Sequence, residues 1–396
     1  MKQKQFLLFI LAASQFTHIM DFMIMMPLGS QLMRIFEITP QEFSFLVAAY
    51  ALSAGIFGFI SAFFIDKFDR RTSILIVYAG FTLGTFACAS SPTYAFLLTS
   101  RIITGAFGGI LGALVLAIVS DLFAYEKRAK AIGIVMTAFS IASVAGVPFG
   151  LFIAASFDWH APFYFLAYLG VLILTFMFFI IPTMTKHMEV KVKLKQGISI
   201  VRHFFSNKNV LLAFALTVLM MLGQFTVIPF IAPYMVANVG FTELELTYIY
   251  MVGGGLTIFT SPYIGKLADK YGKQKIFTIF AFLSVIPLFL VTNLPEVPLY
   301  LALVVSGLFF VFINGRFVPA ITLITSVIKP ENRGSFLSVR TAVQQFGSSI
   351  SALIAGLVIA RDDLDHLLYF NVVGYIAIIC TFIAIYVGNK LVVVDK

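Results

Sequence analysis

FLLFILAASQFTHIMDFMIMMPL, from Phe6 to Leu28, is long enough to cross the hydrocarbon of a bilayer as one α-helix, and it holds a single carboxylate, Asp21, well inside the run. A charge at that depth costs about 2.5–3.5 kcal/mol even on the mildest insertion scale. A group retained against that cost inside a membrane helix is, as a rule, an ion or proton site. Lys2 and Lys4 give the run the flank of a secretory leader. It is too long for one, lacks a small-residue cleavage pattern and carries the buried acid, so it is expected to be retained.

The rest of the chain repeats the first part of this pattern. Hydrophobic residues make up 60% of it and charged residues 11%, with a mean hydropathy of +0.99. That lies far outside the range of soluble domains and indicates a polytopic membrane protein. Measured against the roughly 20 residues a helix needs to cross, the apolar runs predict twelve spans, starting near Phe6, Phe43, Ser73, Tyr94, Ala131, Ala161, Asn209, Leu246, Ile276, Pro298, Ser335 and Leu367. Uncharged runs of this length form an all-α bundle rather than a barrel.

The net charge of +9 is a topology signal and not a nucleic-acid footprint. With the amino terminus inside, all but five of the 27 Lys and Arg fall in predicted inner loops or tails. Arg34 and Arg361 alone lie outside, and Arg101, Arg316 and Arg340 lie within spans. This bias places both termini in the cytoplasm. The basic stretch Lys186–Lys208 reads as a linker lying on anionic headgroups, between a six-helix half at 1–185 and another at 209–396.

An internal repeat supports the two halves. AFFIDKFDRR (Ala62–Arg71) corresponds to GKLADKYGKQ (Gly265–Gln274), aligning Asp66 with Asp269. Glu126-Lys127-Arg128 before span five corresponds to Glu331-Asn332-Arg333 before span eleven. Two repeats in the same orientation place a binding site near the midplane where they meet, with alternating access by rocking.

Gly265 to Lys273 closely resembles the loop motif Gly-x-Leu-Ala-Asp-Arg/Lys-x-Gly-Arg/Lys of the major facilitator superfamily. The first copy keeps Asp66, Lys67, Arg70 and Arg71 but has Ala62 and Asp69 where glycines are usual, and Asp69 is expected to tolerate a left-handed turn there. The resemblance implies a cytoplasmic gate made by Asp66, Lys67, Arg70, Arg71, Asp269, Lys270, Gly272 and Lys273, with Arg128 and Arg333 at the next inner loops. In span four, Arg101 followed by Gly105 is similar to the buried-arginine motif of the superfamily's drug:proton antiporters. In span five, Gly146-Val147-Pro148-Phe149-Gly150 resembles their antiporter motif, with Ala142 in place of the upstream glycine and Val147 inserted. With Trp159-His160-Ala161-Pro162-Phe163 following, the variant is most like the sugar and small-metabolite efflux branch. The resemblance implies monomeric operation.

Independently of family, Asp21 and Arg101 each sit about seven residues from the outer end of their span, so they are level. Beside Arg101 the carboxylate keeps its charge; with the guanidinium withdrawn, charge there is costly. That contrast couples proton binding to conformation, unless the pair is a static tie between spans one and four. His18, one turn before Asp21, either shares the proton or is a hydrogen-bonded structural group. Gln224 occupies the position equivalent to Asp21 in the second half, with Pro229 following as Pro27 follows Asp21. Arg316 either bonds backbone carbonyls or meets an anionic group, and Arg340 is expected to reach the cytoplasmic interface. Gln15, Gln224, Asn314, Arg316, Gln344 and Gln345 are the expected polar lining of a cavity whose walls draw on 45 Phe and 14 Met.

There is no Gly-x4-Gly-Lys-Ser/Thr phosphate loop for ATP. Cys88 and Cys380 belong to no metal-ligand spacing, and no catalytic triad or carboxylate pair points to an enzyme. No cofactor, metal or nucleic acid is expected; the expected partners are a small-molecule substrate, protons and membrane lipids. The reading is an inner-membrane exporter of drugs or amphipathic metabolites driven by proton antiport. The alternatives are a sugar efflux permease, or a lipid flippase or facilitator without strict proton coupling.

Overall fold

The computed structural model describes residues 2–123, 125–185, 188, 202–329 and 333–394. Among these the chain is almost entirely helical. The first six spans are Lys2–Ile24, Pro40–Ser61, Arg70–Ala89, Tyr94–Leu122, Tyr125–Ile141 continued by Val147–Ser156, and Ala161–Ile180. The second six are Lys208–Phe225 continued by Ile228–Ala237, Glu243–Tyr271, Lys273–Thr292, Leu299–Thr325, Arg333–Val358 and Phe370–Asn389. Among the described residues, eleven helices are long and apolar enough to cross a membrane. Span eight is a 29-residue helix whose apolar character is diluted by Gly253 to Gly255 and by Glu243, Glu245, Lys266, Asp269 and Lys270 at its ends. Most of the basic linker between the halves, Lys186, Lys191, Lys193 and Lys195 included, lies outside the described residues, as do Glu331 and Asn332.

The helices form two compact units. The first gathers Met1–Met25 with Ala49–Ile198, and the second gathers Met26–Ala48 with Ser199–Lys396. In the first, Leu7 and Leu11 of span one pack with Ile74, Tyr78 and Phe81 of span three, Val115 of span four and Met177 of span six. Close packing and internal hydrogen bonding hold such helices together, because lipid tails are as apolar as leucine. In the second unit Phe43 meets Phe230 edge-on at 5.6 Å, and Phe214 stacks on Phe336 at 5.5 Å. Arg34, on the short helix Gly29–Ile35, pairs with Glu243 at 2.8 Å, and Gln31 of the same helix also donates to that carboxylate. A two-stranded hairpin, Ala360–Arg361 with Leu367–Leu368, precedes span twelve, clasped by the Asn238 side chain at both backbone groups of Leu367.

Prolines break the helices where the sequence places them. Span one ends at Ile24 ahead of Pro27. Span five passes through a π-helical turn at Ala142–Gly146 just before Pro148, which has no N–H to give the carbonyl four residues back. Span seven breaks at Thr226-Val227 ahead of Pro229, so the Val227 N–H bonds the Gln224 carbonyl at 3.1 Å and leaves the Gly223 carbonyl to another donor.

The two copies of the loop motif solve the same turn differently. Gly272 adopts φ +97°, where a Cβ is strained. Asp69, at the equivalent position, has φ −56° and is not left-handed as expected; its carboxylate instead accepts the Thr72 N–H as the N-cap of span three. The other carboxylate oxygen accepts the Met184 N–H at 2.6 Å, tying the end of span six to the start of span three. Burial pushes the Asp69 carboxyl up, but the N–H donors of Met184 and Thr72 outweigh it and hold it below its ordinary value. A carboxyl lowered on folding contributes stability above its unfolded value, near pH 4, and loses it as pH falls through the folded value. Asp69→Ala should therefore lower stability by about 1 kcal/mol at neutral pH. In thermal unfolding of detergent-purified protein, the gap between wild type and variant should close on acidification below about pH 4.

Candidate functional site

The site in the first unit is built on helix breaks and charge. Span one delivers His18 and Asp21 in its last two turns, and span five presses Gly146 and Gly150 against Phe16, Met20 and Ile24 of the same helix. Asp21 and Arg101 are both wholly buried, with Arg101 Nη1 donating to Asp21 Oδ2 at 2.7 Å. The same nitrogen reaches the Asp21 backbone carbonyl at 3.2 Å, and the Thr85 hydroxyl of span three donates to Oδ1 at 3.2 Å. Arg101 Nε has no hydrogen-bond partner among the described residues. Its guanidinium lies over the Tyr50 ring, 4.3 Å from the centroid. The Tyr50 hydroxyl is 2.8 Å from His18 Nδ1.

The structure thus brings Asp21, Arg101 and His18 into one cluster and adds Thr85 and Tyr50, which the sequence did not single out. Gln15 lies nearby, 3% exposed, and donates to the Gly112 carbonyl of span four at 3.3 Å.

In the second unit Arg316 is fully buried. It donates to the Ser284 hydroxyl at 3.1 Å, the Thr381 hydroxyl at 2.6 Å and the Gly223 carbonyl at 2.6 Å, the carbonyl that the break in span seven leaves free. Gln224, next to Gly223, has its side-chain amide oxygen buried without a partner among the described residues. The other expected lining residues do not converge there through any described contact. Asn314 donates back to the Phe310 carbonyl of its own helix, and Gln344 accepts from Arg340 one turn away, while Gln345 is half-buried. Arg340 is 8% exposed, so it folds along its helix onto Gln344 rather than reaching outward.

At the loop motif, Arg70 is clamped by Asp66 at 2.6 Å and Asp121 of span four at 2.9 Å. Arg71 donates to the Phe178 carbonyl at 2.7 Å and lies over its ring. Lys67, Asp269, Lys270 and Gly272 are exposed, and Lys273, Arg128 and Arg333 half-buried. No group of His, Cys, Asp or Glu able to hold a metal occurs among the described residues.

The model of the Major Facilitator Superfamily matches residues 11–352 and 213–392. The chain belongs to the major facilitator superfamily. It is a membrane transporter and not an enzyme. The uncharacterized MFS-type transporter YceJ of Bacillus subtilis is 24% identical over 341 residues, 85% of either chain. The inner membrane transport protein YdhP of Escherichia coli is 28% identical over 324 residues, 80% of this chain and 79% of its own. Among solved structures, a D-xylose-proton symporter aligns with a TM-score of 0.76 at 15% identity over 96% of each chain. The nucleoside transporter NupG aligns at 0.77 and 13% over 97% of this chain and 98% of its own. These structures share the superfamily fold.

Removing one member of a buried pair leaves the other uncompensated, which typically costs 3–5 kcal/mol. Asp21→Asn and Arg101→Gln should each lower thermal stability in detergent by about 3 kcal/mol or more. The double variant should lose clearly less than the sum of the two, the non-additivity that marks a direct interaction.

Proposed function

We propose that this transporter exports small molecules, drugs or amphipathic metabolites, in exchange for protons, with Asp21 as the proton carrier. The observation that carries this reading is the wholly buried Asp21–Arg101 pair at the end of span one. Paired with Arg101 the carboxylate holds its charge. When the pair parts, the carboxylate needs a proton or another counter-charge, since a lone ion in that environment is costly. Arg101 has no such freedom, because a guanidinium does not shed its proton. Proton uptake by Asp21 and release of Arg101 are then one event, and alternating access turns that event into transport.

Gln224 stands where the repeat would put a second carboxylate, so the proposal assigns one proton to each cycle. The remaining polar side chains, Gln15, Gln224, Asn314, Arg316, Gln344 and Gln345, are proposed to face the cargo path, and the two loop-motif copies with Arg128 and Arg333 to close the cytoplasmic side. The charge bias of the loops supports cytoplasmic termini, and the name of the Escherichia coli relative supports an inner-membrane location. The proposed unit is a monomer in lipid, with halves at 1–185 and 209–396.

Proteoliposomes holding an imposed pH gradient test the reading, with a panel of cationic, neutral and anionic dyes and sugars offered as cargo. Wild type should accumulate at least one class against its gradient. Asp21→Asn/Arg101→Gln, which removes both charges together, should move the same compound only downhill. Uphill movement retained by the double variant would remove Asp21 from the coupling, and flux indifferent to pH in wild type would favour a facilitator or a lipid-moving protein.

A further inference from the structure

Tyr50 touches both ends of the charged cluster. Its ring lies beneath the Arg101 guanidinium and its hydroxyl meets His18 Nδ1, while Phe22 of span one packs on the ring at 5.3 Å. Span four makes room for this with glycines. A Cβ on Gly108 would stand 2.6 Å from the Tyr50 hydroxyl and 2.8 Å from His18 Nδ1, and one on Gly105 would collide with the Tyr50 carbonyl. The stretch Arg101-x3-Gly105-x2-Gly108 therefore supplies the cation and also the space for the ring on which it rests.

We propose that Tyr50 is the positioning residue that links His18 to the Asp21–Arg101 pair, seating the guanidinium on the carboxylate while its hydroxyl responds to charge on His18. This rests on the proton-coupling reading above. A neutral imidazole whose Nδ1 is bare accepts the Tyr50 hydroxyl hydrogen; a protonated one donates its own Nδ1–H to the same oxygen, and the hydroxyl hydrogen must turn away. The reversal also sets a second cation beside the ring that carries Arg101, and like charges weaken the hold of Arg101 on Asp21. Protonation of His18 and of Asp21 are thereby linked through one side chain. Among the described residues, the other titratable groups facing the cluster are Tyr78 and Cys88 of span three. The Tyr78 hydroxyl is engaged by Thr17 at 3.0 Å, and Cys88 Sγ lies 3.7 Å from the Thr104 hydroxyl.

The test uses the full chain purified in detergent and follows the infrared band of the protonated carboxyl from about pH 4 to about pH 9. Loss of a band in Asp21→Asn assigns it to Asp21. Tyr50→Phe keeps the ring under Arg101 and removes only the hydroxyl; it should move the midpoint of that band by about half a pH unit or more. His18→Gln should do the same, and the double variant should move it no further than the larger single change. Tyr50→Leu, which also removes the ring, should move it further. Midpoints unchanged in Tyr50→Phe and His18→Gln, or shifts that simply add in the double variant, would overturn the link while leaving Asp21 as the proton carrier. Absence of any band sensitive to Asp21→Asn would instead overturn the proton-coupling reading, a separate failure.

Discussion

A carboxylate within the hydrocarbon is costly, and much of the first unit is arranged around Asp21. Arg101 supplies the counter-charge, Thr85 satisfies the second oxygen, and Tyr50 lies under Arg101 with its hydroxyl on His18. Gly105 and Gly108 of span four make room for Tyr50 of span two and for His18, and Gly146 in the π turn of span five packs against Phe16 and Met20 of span one. Polar groups at this depth hold the unit in register, since apolar packing alone distinguishes poorly between helix neighbours in lipid. The same groups give the unit its capacity to change state, because parting a buried ion pair leaves each charge uncompensated, at a cost that a proton on the carboxylate removes for the acid.

The second unit uses a related device without the acid. Arg101 takes the backbone carbonyl of Asp21, and Arg316 takes the carbonyl of Gly223, the residue before the repeat equivalent of Asp21. In both units a guanidinium from the later helix pins the earlier helix close to its proline break. Only the first unit pairs that guanidinium with a described carboxylate; Arg316 is met by two hydroxyls and a carbonyl. The two copies thus reach a similar hold on a broken helix from different positions, since the repeat equivalent of Arg101 falls at Val304 to Ser306 and not at Arg316.

The spans were legible because hydropathy acts over some twenty residues and tolerates local detail. The Asp21–Arg101 geometry was legible for a similar reason: two rare charges at matched depth have few alternatives to each other. Tyr50 was not, because in a chain with 15 Tyr and 45 Phe a single aromatic at helical spacing carries no mark of its partner. The partners of Arg316 were hidden likewise, being common hydroxyls and a backbone carbonyl from three other helices. Asp69 was misread as a left-handed residue because its glycine counterpart suggested a backbone solution, whereas the aspartate satisfies the same helix end with its side chain. The hairpin before span twelve went unseen because two-residue strands leave no periodicity.

The most direct test of Asp21 as the proton carrier is to count protons released into weakly buffered solution when a transported compound binds the detergent-solubilised protein. The account predicts release in wild type that rises towards one proton per bound molecule as pH falls into the range where unbound Asp21 is protonated, and none in Asp21→Asn. Binding without release in wild type, or equal release in both proteins, would contradict it.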